Sequence, residues 1–404
     1  IYLHRVVVDL VERLEHAQLR LQRIGVARAQ VGLGVGRLGG GQDRPRRGQK
    51  PAPQQQAAVP VHARRYRPTL TAAAVTRKAV AALVVVVTVL AVGHRLLLAA
   101  GHQVRAQYNS DGYPLHGLGL DAMRGNVLDK PFLLEFFRGC DAVIHAAALI
   151  SIQGDPDGRV FETNTRGPRL VMEAAQEHQI KRLVHLSSVH AVTELPHSMP
   201  YDEERPYKTA ADPAYDHSKA VGEQILRESS TAGPTELVIV RPSCVIGPYD
   251  FKPSKIGAAL LDLYHQKMPF LPPGGYDFID VRDVSRSIIR ALDSDVAPGI
   301  YLLSGKYYNF KELAAAVHAV TGKKVPQAVV PHRLLTALLP LASWHAQIKG
   351  AAPSLTRESI AAIMNGHPQM DNRKAKNALG HANRPLEESL HDFYTWHFES
   401  KKHA

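Results

Sequence analysis

Tyr215-Asp216-His217-Ser218-Lys219 places a phenol and an amine four positions apart. On a helix that spacing puts both side chains on one face. A tyrosine hydroxyl, with a pKa of roughly 10, is a poor acid or base at neutral pH. A neighbouring ammonium favours the phenolate and lowers that pKa, which makes proton exchange with a substrate oxygen feasible. Ser187-Ser188 follow directly on the strand-like segment RLVHL of 182–186. A hydroxyl there can hydrogen-bond the same oxygen that Tyr215 protonates. Upstream, the segment DAVIHAAA of 141–148 ends a strand in small residues, so a flat ligand can lie against its backbone. Each feature also has a bland reading. Tyr-x-x-x-Lys occurs by chance in surface helices, a serine at a strand end is often only a cap, and His145 alone is more often a satisfied polar residue than a ligand contact.

The elements that would position these groups are legible as alternating patterns. Residues 79–93 (AVAALVVVVTVLAVG) form the longest apolar run. A membrane span needs about 18–20 apolar residues, and His94-Arg95 end this run too early. Its β-branched valines predict a central strand buried on both faces. Strand-like segments recur at 102–107, 141–145, 182–186 and 236–240, with helical patterns at 164–178 and 215–229. That alternation predicts a parallel sheet with helices on both faces, whose ligands bind beyond the carboxyl ends of the strands. Past about residue 250 the pattern loosens into helices, Pro-rich turns and short strands, which predicts a smaller cap.

Composition narrows the class. The 404 residues are 45% hydrophobic and 21% charged, which excludes collagen-like, mucin-like and disulfide-stapled chains. Two cysteines, Cys140 and Cys244, make neither a disulfide framework nor a four-ligand zinc site, so no metal is expected and a reducing, cytoplasmic setting is the default. The net charge is +12, yet residues 1–80 carry 15 basic and 4 acidic side chains, leaving the remainder near neutrality. A basic leader can bind phosphate backbones without reading sequence, but no nucleic-acid motif accompanies it. Within that leader, Leu3, Val7, Leu10, Leu14, Ala17, Leu21 and Ile24 share one helical stripe. Residues 32–68, rich in Gly, Arg, Gln and Pro, are expected to be disordered.

In order, GHQVRA (101–106), GNVLD (125–129), DAVIHAA (141–147), NTRGPRLVMEAA (164–175), LVHLSSVHA (183–191), YDHSKAVGE (215–223), VRPSCVIGPYD (240–250), FIDVRDV (278–284) and GIYLLSG (299–305) resemble the extended short-chain dehydrogenase/reductases of the NAD-dependent epimerase/dehydratase type. The terminal KAKNALG…PLEESLHDFYTW (374–396) extends the likeness. The resemblance implies a leader at 1–78, a dinucleotide-binding Rossmann domain at 79–250, and at 251–404 mostly a substrate cap with segments returning to that domain. It implies Tyr215 as general acid/base, Lys219 as the amine that acidifies it and holds the nicotinamide ribose, and Ser188 as the third member. It implies NAD(P) as cofactor, with Gly93, Arg105, Asn126, His145, Ala146, Ala147, Asn164, Pro242 and Val245 beside it. A small-molecule substrate and a homodimer are its expected partners.

Departures from the family pattern shape the expected function. The first strand of the family leads into T-G-x-x-G-x-x-G, whose backbone approaches a pyrophosphate at a helix N-terminus. Here Thr88 is followed by VLAVGHRLLLAAG, in which only Gly93 precedes Gly101. The crossover so defined is barely long enough, and Val89, Leu90 and Val92 would obstruct a phosphate. The change of composition near residue 79 adds the expectation that the family sequence begins there and that what precedes it is not native coding sequence. Gln107-Tyr108-Asn109 offers no acid for a ribose 2′-hydroxyl, and Arg105 is the candidate for a 2′-phosphate, so NAD and NADP both stay open. Val189-His190 after Ser188 disfavours dehydration. Cys244 in RPSCVIGP, where sugar-nucleotide epimerases carry asparagine, directs the reading to the dihydroflavonol 4-reductase-like branch. A carbonyl reductase or alcohol dehydrogenase for a small apolar or aromatic substrate is therefore expected. The alternatives are a sugar epimerase, or a non-catalytic dinucleotide-binding relative with a degraded glycine turn.

Overall fold

The computed structural model describes residues 79–83, 87–337, 339–340 and 356–400. The expected leader, residues 1–78, lies outside the described residues.

Seven parallel strands form the main sheet: β1 (Ala79–Leu83), β2 (Gln103–Tyr108), β3 (Asp121–Arg124), β4 (Ala142–His145), β5 (Arg182–Leu186), β6 (Glu236–Pro242) and β9 (Gly299–Leu303), in the order β3-β2-β1-β4-β5-β6-β9. The order reverses between β1 and β4, and β1 pairs in parallel with β2 on one side and β4 on the other. In sheets of this kind the crevice at that reversal is where ligands settle. The doubly wound α/β class expected from the sequence is the class observed.

One element differs. The apolar run 79–93 is not a single strand: β1 stops at Leu83, and α1 (Val87–Ala99) begins four residues later. Thr88 therefore lies in the first helical turn, and Gly93 sits inside the helix. The strand signal was right for the first five residues only. A continuous apolar run does not distinguish a buried strand from a buried helix, and α1 is buried enough to read as either. With β1 ending at Leu83, residues 84–102 connect it to β2, so the crossover is of ordinary length for a parallel pair.

Alternating strand residues feed two cores. On one face Val80, Val104, Ile144, Val184 and Val240 pack against Val89, Val92 and Leu97 of α1 and Val284 and Ile288 of α6 (Val281–Arg290). On the other, Val143, Leu183 and Ile239 meet Leu133 and Phe136 of α2 (Lys130–Phe136), Val171 and Met172 of α3 (Arg159–Glu177) and Leu226 of α4 (Ala214–Ser230). Helices α3 and α4 approach closely because residue 222 is glycine: a Cβ there would lie 2.3 Å from the Asn164 carbonyl oxygen.

A second sheet, β10-β8-β7, is built from β7 (Cys244–Ile246), β8 (Gly275–Asp280) and β10 (Lys306–Asn309). Its core joins Leu260 and Leu263 of α5 (Lys255–Tyr264), Leu313 and Val317 of α7 (Phe310–Thr321), and Leu390 and Phe393 of the terminal helix Leu386–Ser400. Gly305 links the two sheets, between β9 and β10. A Cβ on it would fall 1.7 Å from the Phe278 carbonyl oxygen, and its N–H donates to Asp277 Oδ1. Backbone cannot retreat as a side chain can, so Gly305→Ala is expected to cost about 1–3 kcal/mol. The denaturation midpoint of the variant checks this, and an unchanged midpoint would refute it.

Candidate active site

Three side chains converge at the carboxyl ends of β4–β6. Ser188 follows β5 in extended conformation, and its Oγ caps a short 3₁₀ turn (Val189–Ala191) by accepting from the His190 N–H at 3.1 Å. Tyr215 stands in the first turn of α4, introduced by Pro213, and the Ser188 hydroxyl is a polar neighbour of its phenol. Lys219, one turn on, is buried, and its Nζ donates to the Leu186 carbonyl oxygen at 3.0 Å. That bond uses one of three ammonium donors and aims the amine across the end of β5. Burial drives Lys219 down to about 8, with Glu223 opposing the shift.

Tyr215 reverses one expectation. Burial pushes its phenol up to about 12, the Ser188 hydroxyl pulls it down, and the Asp216 carboxylate pushes it up again. Lys219 is not among its main influences, because the ammonium is directed at Leu186. The phenol is therefore a protonated group near neutral pH, ready to donate.

Beneath α4 lies a polar layer. Glu223, fully buried, receives a forked contact from Arg241, with Arg241 Nη2 to Glu223 Oε2 at 2.7 Å. Glu223 also accepts from the Ser187 hydroxyl and from Tyr207. This pair locks β5, β6 and α4 in register directly under Ser188 and Lys219. Two sequence signals could have disclosed it: Glu223 stands one turn beyond Lys219 on the same face, and Arg241 interrupts an otherwise apolar strand. His145 and His185 pair across β4 and β5 with Nδ1 atoms 3.0 Å apart. Burial, then the Lys219 charge, holds His145 down at about 3, so it is a neutral ring packed below α4.

The other expected cofactor residues divide. Ala146 and Ala147 line the end of β4 and are buried. Asn164 clamps the following loop, exchanging hydrogen bonds with Leu149 at 2.8 and 2.9 Å and donating to Ser218 Oγ. Pro242 closes β6, and Val245 lies in β7, so both sit where the two sheets meet. Asn126 follows β3, and its Oδ1 accepts from the Leu128 N–H. Two residues are elsewhere. Gly93 is interior to α1 and lies in no turn. Arg105 is committed to Asp121 at 2.7 Å and to the carbonyl oxygens of Phe136 and Arg138. Those carbonyls end α2 before β4 begins, at the amino edge of the sheet, so Arg105 points away from the ligand edge.

A second cluster flanks the triad. His190 Nδ1 and carboxylate oxygens of Glu194 and Asp216 lie within 4.8 Å of one another, a spacing that would suit a metal. Lys208 Nζ already occupies that role, 2.6 Å from Glu194 and 3.5 Å from Asp216. The cluster was not legible from the sequence because its four residues come from three separate segments.

This sheet, with Ser188, Tyr215 and a buried lysine brought to its carboxyl edge, has the architecture of the nucleotide-binding short-chain dehydrogenase/reductase class. The family model of the NAD dependent epimerase/dehydratase family matches residues 86–304, and the chain belongs to that family. It is 28% identical over 308 residues to the sterol demethylase protein B of Methylococcus capsulatus, covering 75% of this chain and 93% of that one. It is 28% identical over 316 residues to a candidate dihydroflavonol 4-reductase of Synechocystis, covering 75% and 89%. The crystal structure of gox2253 superimposes with a TM-score of 0.68 at 26% identity, covering 80% of this chain and 98% of that one. Among the described residues no helix is long and apolar enough to cross a membrane.

The residues present fit a nicotinamide dinucleotide at one end. Lys219 retains two donors for ribose hydroxyls, and Ala146 and Ala147 leave the strand end low. The pyrophosphate end departs from the family. Residues 84–92 (VVVVTVLAV), between the end of β1 and Gly93, hold no glycine where the family pattern T-G-x-x-G-x-x-G has three.

Proposed function

We propose that this chain reduces the carbonyl of a small apolar or aromatic substrate, or oxidises the matching alcohol, with NAD(P). The observation that carries the reading is the convergence of Ser188, at the end of β5, with Tyr215 and buried Lys219 one turn apart on α4. Bound nicotinamide supplies the two-electron chemistry. Tyr215 donates its proton to the substrate oxygen as negative charge develops there, and Ser188 shares that oxygen by hydrogen bonding. Lys219 holds the ribose and contributes positive charge. Because the phenol rests protonated, it is poised to donate to a carbonyl oxygen near neutral pH.

Support for a reductase over an epimerase comes from Cys244. It stands in R-x-x-N register after Arg241, and burial pushes its thiol up to about 12, so it stays a weak neutral donor, poorly suited to hold a nucleotide. The Synechocystis relative carries a reductase name in keeping with this. Incubation with NADH or NADPH and a panel of aromatic and aliphatic carbonyls tests the reading. Net cofactor consumption is expected. Product isomers without net consumption would establish the epimerase instead, and binding of neither cofactor would favour a non-catalytic relative.

A further inference from the structure

Tyr215 has a titratable neighbour on the solvent side. The His190 ring packs edge-on against the Tyr215 ring with centroids 6.2 Å apart. Its Nδ1 lies 3.5 Å from Asp216 Oδ1 and 3.8 Å from Glu194 Oε1. Its backbone N–H donates to Ser188 Oγ, so one residue touches the hydroxyl member of the triad and faces the phenol member. The side chain is 31% exposed, enough to trade protons with water.

Charge around the ring is unbalanced. From the loop after Ser188 comes Glu194, from α4 come Asp216 and the neutral Tyr215, and from the intervening loop come Lys208 and Asp212, the last 3.7 Å from Lys208. The half-buried Tyr276 phenol of β8 also feels the Asp216 charge. Three carboxylates thus face one ammonium, and an imidazolium at His190 reduces the excess. Burial opposes that proton, but Asp216 and Glu194 outweigh burial, and the net direction for His190 is upward.

We propose that His190 is a positioning residue for the Tyr215 proton transfer: its imidazolium offsets the Asp216 and Glu194 charges beside the phenol, and the triad works at full rate only while His190 is protonated. The proposal rests on the reductase reading for its catalytic consequence and on geometry alone for the charge coupling. With His190 charged, the phenol is the stronger acid and gives up its proton more readily. As pH rises through the His190 ionisation, Asp216 acts on Tyr215 unopposed and the rate falls.

The test has two arms on the full chain. In the first, histidine NMR titration, with His190 assigned by its loss in His190→Gln, is expected to give a midpoint above the ordinary 6.5. That midpoint is expected to fall in Asp216→Asn, and a value at or below 6.5, or one that Asp216→Asn leaves in place, overturns the proposal. In the second, kcat/KM for carbonyl reduction is followed against pH. The unaltered chain is expected to lose about tenfold across the His190 ionisation. His190→Gln is expected to stay at the low level throughout, and His190→Lys, whose charge persists, at the high level through the neutral range. Superimposable profiles overturn the proposal, since a purely structural role would move amplitude and not the ionisation. If the unaltered chain reduces no carbonyl, the reductase reading fails, and the NMR arm alone decides the coupling.

Discussion

Tyr215→Phe is expected to lower kcat/KM for carbonyl reduction by about 10²–10⁴-fold, the range that a single general acid contributes, while cofactor affinity changes little. The substitution removes one oxygen. That oxygen is the strongest acid available to the substrate in the triad, since Lys219 is aimed at Leu186 and a serine hydroxyl is a far weaker acid than a phenol. Stability should move less than activity, because the ring remains and the polar contact of one hydroxyl is worth at most about 0.5–1.5 kcal/mol. The pH dependence is a sharper check. A phenol held at about 12 by burial is protonated across the neutral range, so alcohol oxidation, which needs the phenolate, should accelerate as pH rises. Steady-state kinetics in both directions measure this. A Tyr215→Phe enzyme within tenfold of the unaltered chain would remove the phenol from the mechanism.

The sequence carried the ligand edge of this fold better than its first crossover, for physical reasons visible in particular residues. Segments 141–145, 182–186 and 236–240 read as strands because each is short, β-branched and bounded by polar turns, and β4, β5 and β6 fall on them. Tyr215 and Lys219 were legible because helical spacing alone fixes their shared face. Residues 79–93 misled because the helix that follows β1 is apolar on nearly every side, having the sheet on one flank and α6 on the other. For the Glu223–Arg241 pair the sequence marks each member, by helical spacing after Lys219 and by a charge in an apolar strand, but no local pattern specifies that helix and strand pack together. The direction of the Tyr215 shift likewise depends on where the Lys219 ammonium points, and spacing says only that the two side chains share a face.

The correction to that first crossover leads to the second large effect. The triple substitution Val84→Gly, Val87→Gly, Leu90→Gly is expected to tighten NADH or NADPH binding by roughly a hundredfold. A pyrophosphate is held at such a turn by backbone N–H groups at the helix N-terminus, and the backbone can approach it only where no Cβ intervenes. The architecture for this is in place: β1 ends at Leu83 beside the topological switch, and α1 starts at Val87. Two recovered charge-assisted hydrogen bonds at about 1.5 kcal/mol each amount to about 3 kcal/mol, or roughly two decades in Kd. Opposing this, glycine is less favourable than other residues in a helix by about 1 kcal/mol at each interior position, and Leu90 is the one interior position altered. The gain in binding therefore exceeds the loss in helix stability. Titration followed by nicotinamide fluorescence, with the melting temperature recorded in parallel, separates the two terms. Unchanged affinity in a variant that still folds would show that the turn is not what limits this chain's hold on a dinucleotide.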